Sequence, residues 1–190
     1  MEINQLKYFS HDKIPSIIEE LDLPEEIKPK LETASTDIKI IHALNDASLF
    51  NSTIRFLALG LPKRQAIWWA YLTAQTIDGN SDNLHAQNAL RLTEGWVKNP
   101  DDAKRYSAKE LADILQLYTP SAWAAMAIFW SGNNIAPKGR TPVLPGPFMS
   151  GHAVANTVIL SAESSEKPLD QVKYFLKQGM HIAMGGNGKI

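Results

Sequence analysis

There is no cysteine in this chain. That excludes disulfides and thiolate metal sites, and makes a cytoplasmic home the default expectation. Long apolar runs are also missing. The longest, Ala122 to Trp130, falls far short of the roughly 18–20 residues that a membrane span needs. The start, Met1-Glu2-Ile3-Asn4-Gln5, has neither the basic nor the apolar region of a signal peptide. Basic excess is absent: Lys and Arg number 19, Asp and Glu 20. Nucleic-acid binders usually carry a basic surplus, so no nucleic-acid partner is expected. Strand-like alternation is absent, and Pro62, Pro100 and Pro120 recur at irregular spacing, which argues against a solenoid and leaves a helical-hairpin array open.

What is present is helical patterning. Gly60-Leu61-Pro62 closes one helix and opens another, and Ala66 to Leu72 is then apolar without a break. At about 3.6 residues per turn such a run covers every face, so neighbours must enclose it. It is read as the central helix of a bundle, reaching about Ile77. Before it, Leu49, Phe50, Ile54, Leu57 and Ala58 mark a helix closed by Gly60 as a C′ glycine. After it, Ser81 or Asp82 can cap a helix to about Lys98. Asn99-Pro100-Asp101-Asp102 starts another, continuing to Tyr118 with a possible break at Ser107. Thr119-Pro120 opens an alanine-rich helix to Trp130, on which Trp123 and Trp130 share a face. Residues 133–149 hold four prolines and form a long loop. Ser150 caps a helix to about Ala162, and a last helix from Pro168 turns Leu169, Val172, Leu176 and Ala183 inward.

The expected fold is all-α: a compact bundle of about seven helices, with a shorter helical N-terminal segment and a long Pro-rich loop. Three stretches follow: an acidic segment 1–45, packed on or hinged to the bundle; the bundle, 46–184; and a flexible tail, 185–190. The first carries five lysines against nine acids and could present an acidic face to a partner. Within it, Pro24 and the acids behind it suit a helix start, and Asp37 can cap a short helix from Ile38.

Chemistry-bearing residues are sparse. The histidines at 11, 42, 85, 152 and 181 do not converge on one helix face, so no metal and no cofactor is expected. Lys63 and Arg64 sit in the first turn of the central helix, where the dipole disfavours cations by about 0.3–1 kcal/mol. Ion pairs with Glu25 or Glu26 would offset that, and a bound anion is the alternative. Ser150-Gly151-His152 places a hydroxyl and an imidazole at a helix start, with Lys138 and Arg140 in the adjoining loop. A hydrolase or transferase site there is one reading, although no strained nucleophile mount is visible. Trp130, Asn133, Asn134, Lys138 and Arg140 form the other candidate, a docking edge where an indole meets a proline-rich loop.

Three motifs carry a resemblance. Leu61-Pro62-Lys63-Arg64-Gln65-Ala66-Ile67-Trp68-Trp69-Ala70 looks like L-P-x-R-x-A-x-W-W-A. Thr119-Pro120-Ser121-Ala122-Trp123-Ala124-Ala125 looks like T-P-A-x-W-A-A. Phe129-Trp130-Ser131-Gly132 through Ala136-Pro137 looks like F-W-S-G-x-x-x-A-P. Together, over roughly residues 33–184, they resemble an uncharacterised family of small bacterial proteins. Members often lie in gene neighbourhoods with type VI secretion components and effector-loading proteins. The resemblance implies a cellular context and no active site. The resulting expectation is a non-enzymatic adaptor or chaperone-like protein, its partner a secretion component or effector.

Overall fold

Proline and short polar caps cut the chain into helices, and the computed structural model describes residues 5–34, 36–137 and 139–190. Among these there are ten α-helices and no strand. Three short ones occupy the N-terminal segment: α1 (Ile14–Glu20), α2 (Lys28–Thr33) and α3 (Asp37–Asp46). Seven longer ones follow: α4 (Phe50–Gly60), α5 (Lys63–Asp78), α6 (Leu84–Lys98), α7 (Asp102–Ile114), α8 (Pro120–Trp130), α9 (Met149–Glu163) and α10 (Pro168–Ala183).

The central position is shared. α5 packs on α6, α8, α9 and α10, while α8 packs on α5, α6, α7 and α9. It is α8 that is enclosed all round, with every residue from Pro120 to Phe129 buried except Trp123. Its alanines at 122, 124, 125 and 127 have no exposed surface, which lets neighbouring backbones approach closely. α5 buries Ala66, Ile67, Trp69 and Ala70, but Trp68, Tyr71 and Leu72 stay half-exposed. The apolar run therefore overstates its enclosure, because amphipathic Trp68 and Tyr71 stack on each other with ring centroids 5.1 Å apart and keep a wet edge.

Several helix ends differ from the sequence expectation. Asn83, not Ser81 or Asp82, caps α6 by accepting from the His85 and Ala86 amides. Asp101 caps α7, one turn position beyond Pro100. That helix stops at Ile114, because Gln116 and Leu117 adopt left-handed φ of 52° and 59°. Pro29, not Pro24, lies in the first turn of α2. Thr36 caps α3. Asp37 lies behind it, fully buried, and accepts from the Leu6 amide, the Ile38 amide and His11 Nε2. Thr119 caps α8 as expected. Leu169 is exposed, whereas Leu176 and Ala183 are buried.

The N-terminal segment is stitched to the bundle. Leu6, Phe9, Ile17, Leu21, Leu23, Ile27 and Leu31 belong to the same buried cluster as α5 and α8. Tyr8 N donates to Ala183 O, and Ser10 N to Gly60 O. Gly60 is not a left-handed cap. It is the last residue of α4, and its missing Cβ makes room for the Phe9 ring, which an added Cβ would meet at 2.0 Å. Residues 185–190, expected to fray, fold back: Trp68 Nε1 donates to Asn187 O at 2.8 Å, and the Tyr174 hydroxyl to Ile190 O.

Candidate interaction surface

The last carbonyls of α8 have no partner inside their own helix, and the negative end of its dipole lies there. Two cations from other helices occupy that end. Arg105, buried on α7, donates from Nε and Nη2 to Phe129 O and from Nη2 to Asn134 O; Nη1 pairs with Asp102. Lys63 Nζ donates to Ser131 O at 2.7 Å. Gly132 is needed for this, since a Cβ there would lie 1.9 Å from Arg105 Cζ. Burial chiefly, then the charges of Lys13 and Arg105, holds the Lys63 ammonium below the ordinary lysine range.

That shift has a sign. Between the folded and ordinary lysine pKa values, the unfolded chain binds more protons at Lys63, so stability contributed by this group rises with pH across the upper alkaline window. Urea midpoints measured for wild type and Lys63→Met should draw apart as pH climbs towards 10, with wild type gaining. Parallel curves would show that the ammonium is not strained by its surroundings.

Lys63 and Arg64 thus find a different use from either sequence reading. Arg64 donates from Nε to Val97 O and from Nη2 to Lys98 O, at the end of α6. The two cations, unfavourable for their own helix, cap the negative ends of two others. Glu25 is paired with Lys28 instead. Lys63 Nζ and Arg64 Nε and Nη2 are engaged with these carbonyls.

The loop after α8 has a fixed stem. Asn134 Oδ1 accepts from the Ala136 and Val143 amides, Ile135 N donates to Val143 O, and the Tyr106 hydroxyl donates to Ala136 O. Asn134 is therefore the clasp of the loop. Trp130 is half-buried against the core, and Asn133 is exposed. Residues 139–147 form the tip, in which the side chains of Arg140, Thr141, Pro142, Val143 and Leu144 are exposed, Leu144 at 74 %, while the Val143 backbone stays bonded to the stem. Lys138 lies outside the described residues. Arg105 and Tyr106, which hold the stem, carried no motif in the sequence; only the bare glycine after Ser131 hints at a close approach.

Ser150 and His152 serve elsewhere. Ser150 is buried inside the first turn of α9, behind Phe148 at the cap position, and donates to Ala127 O. His152 Nε2 meets Glu20 at 3.1 Å and ties α9 to the N-terminal segment. The two share no hydrogen bond. The cavity beside Ser150, also lined by Lys13, Lys63 and Phe148 but not by His152, is only ≈ 90 Å³, well below the about 300–1,000 Å³ of ligand sites. Among the described residues, no three of His, Cys, Asp and Glu group as a metal would require. Among the same residues, no helix is long and apolar enough to cross a membrane.

The chain is accordingly an all-helical bundle in which Lys63, Arg64 and Arg105 reach the C-terminal carbonyls of neighbouring helices, with a clasped loop projecting from one edge. It belongs to a family of unknown function, DUF6931, whose family model matches residues 40–183. The match spans α4 to α10 and most of α3, and it leaves α1 and α2 outside. No curated protein and no solved structure matches the chain.

Proposed function

We propose that this chain is a non-enzymatic interaction protein, an adaptor or chaperone-like accessory factor, which presents the 139–147 tip to a protein partner. The observation that carries this reading is the contrast within one loop. The stem is locked by Arg105, Tyr106 and Asn134, while the tip holds Val143 and Leu144 out in water at 51 % and 74 % exposure. Exposed apolar side chains on a pre-ordered, proline-rich loop lose little entropy when they dock. Arg140 adds a cation beside them and makes no side-chain bond among the described residues. The partner class, a bacterial secretion component or its effector, and the cytoplasmic location rest on the sequence resemblance and composition.

Leu144→Asp is the direct test. Because Leu144 touches little, the folding free energy should stay within about 0.5 kcal/mol of wild type. Affinity purification from native cells should recover a secretion component encoded beside this chain with wild type and lose it with the variant. Recovery of the wild-type protein alone, or equal recovery with both, would sink the reading.

A further inference from the structure

A second surface, which that loop does not line, collects polar groups without partners among the described residues. α4, α8, α9 and the turn after α7 enclose a cleft of ≈ 450 Å³ lined by Asn51, Arg55, Tyr118, Trp123, Asn156 and Glu163. Asn51 and Arg55 are one turn apart on α4, and Asn156 and Glu163 are two turns apart on α9. None of these four side chains makes a hydrogen bond or ion pair among the described residues. Arg55 and Asn156 are half-buried, where water satisfies them less fully than on an open face. Arg55 and Glu163 line one cleft and do not pair, so neither charge answers the other.

The aromatic side of the cleft is held in place at a cost. Gln116 and Leu117 are consecutive non-glycine residues in the left-handed region. Such residues cost free energy and persist where the surroundings impose them. This turn leaves Tyr118 79 % exposed near Trp123. A cleft with two aromatic rings, two carboxamides, one guanidinium and one carboxylate matches the chemistry of polypeptide. Rings take a side chain, carboxamides donate to and accept from backbone amides, and the guanidinium forks onto a carboxylate. The cleft is too open for a free amino acid, since small-ligand sites bury about 70–90 % of their ligand. A segment of a larger molecule suits an open trough.

We propose that this cleft binds an extended peptide segment of a partner protein, placing a peptide carboxylate on Arg55, backbone amides on Asn51 and Asn156, and an apolar side chain against Trp123 and Tyr118. The inference does not depend on the loop. Residues 139–147 line no part of the cleft, and loss of the loop's partner would leave a peptide result standing.

The probe is a random synthetic peptide library with free C-termini, screened against the full chain. Binding peptides should emerge, and Arg55→Ala should weaken them about ten-fold or more, the usual effect of losing a charged hydrogen bond. Arg55→Lys should retain part of the affinity, and Asn156→Ala should lower it independently. Each hit is then remade in two forms. Loss on C-terminal amidation assigns the carboxylate to the chain end, and loss on replacing Asp or Glu by Asn or Gln assigns it to a side chain. A library without binders, binders indifferent to Arg55→Ala and Asn156→Ala, or binders indifferent to both carboxylate changes would each overturn the proposal. Thermal melts confirm that every variant is folded; should Arg55→Ala fail that check, Arg55→Lys and Asn156→Ala carry the test.

Discussion

Arg105→Ala should cost about 3–5 kcal/mol of folding free energy, a large share of the roughly 5–15 kcal/mol a domain has. The reasoning starts from the carbonyls. Phe129 O and Asn134 O both receive the guanidinium, and both lie where the chain leaves α8. Removing the side chain strips these acceptors of their donor at about 1–3 kcal/mol each and leaves a void where the buried stem was. The surface pair with Asp102, itself 79 % exposed, adds little. Lysine at this position cannot reproduce the fork, so Arg105→Lys should recover only part of the loss. Gly132→Ala should fail for the converse reason, because the new methyl group would overlap the guanidinium. Urea denaturation reads the size of the effect. Amide exchange at Ala136 and Val143, whose N–H groups hang on Asn134 Oδ1, reads its spread into the loop. A loss under about 1 kcal/mol, with exchange at those amides unchanged, would mean that the loop stem holds without Arg105.

How much of this was legible beforehand depends on the distance over which each decision is taken. The start of α8 was readable because Thr119 and Pro120 act within their own turn: the Thr119 hydroxyl accepts from Ala122 N, three residues on. The end of α7 was not. Gln116 and Leu117 have no residue-type preference for left-handed backbone, so only their packing environment can impose it. The roles of Lys63 and Arg64 were hidden in a different way. Their unfavourable position on α5 was visible and called for an explanation, but the acceptors lie 68 and 33 residues away in sequence. A carbonyl at a helix end leaves no mark in the residue type that bears it. For the same reason the expected acids at 25 and 26 were chosen in error: carboxylates can be seen in a sequence, whereas frayed carbonyls cannot. Of the loop residues, Asn134 turned out to be a clasp and Arg140 an exposed cation, a distinction set by which amides the fold brings within reach.

Trp69→Ala should be the other severe change, with a loss of about 3–5 kcal/mol and a melting temperature lower by roughly 10 °C. Trp69 has no exposed surface, and its Nε1 donates to Phe175 O on α10 at 3.0 Å. Gly179 faces the same indole, and a Cβ there would approach Cε2 and Cζ2 to 2.8 Å. The glycine is therefore a seat for the ring in a helix interior where alanine would ordinarily gain about 1 kcal/mol. This gives the prediction a change of sign. In the wild-type background Gly179→Ala should destabilise by about 1–3 kcal/mol through overpacking. In the Trp69→Ala background the seat is empty, and the same substitution should stabilise, recovering helix propensity and filling part of the void. Trp69→Phe should fall between, keeping most of the ring while leaving Phe175 O without its donor. Denaturant midpoints for the four members of the cycle measure the coupling directly. If Gly179→Ala costs the same with and without the indole, then α10 is not docked through this contact, and the large loss at Trp69 must come from its packing elsewhere.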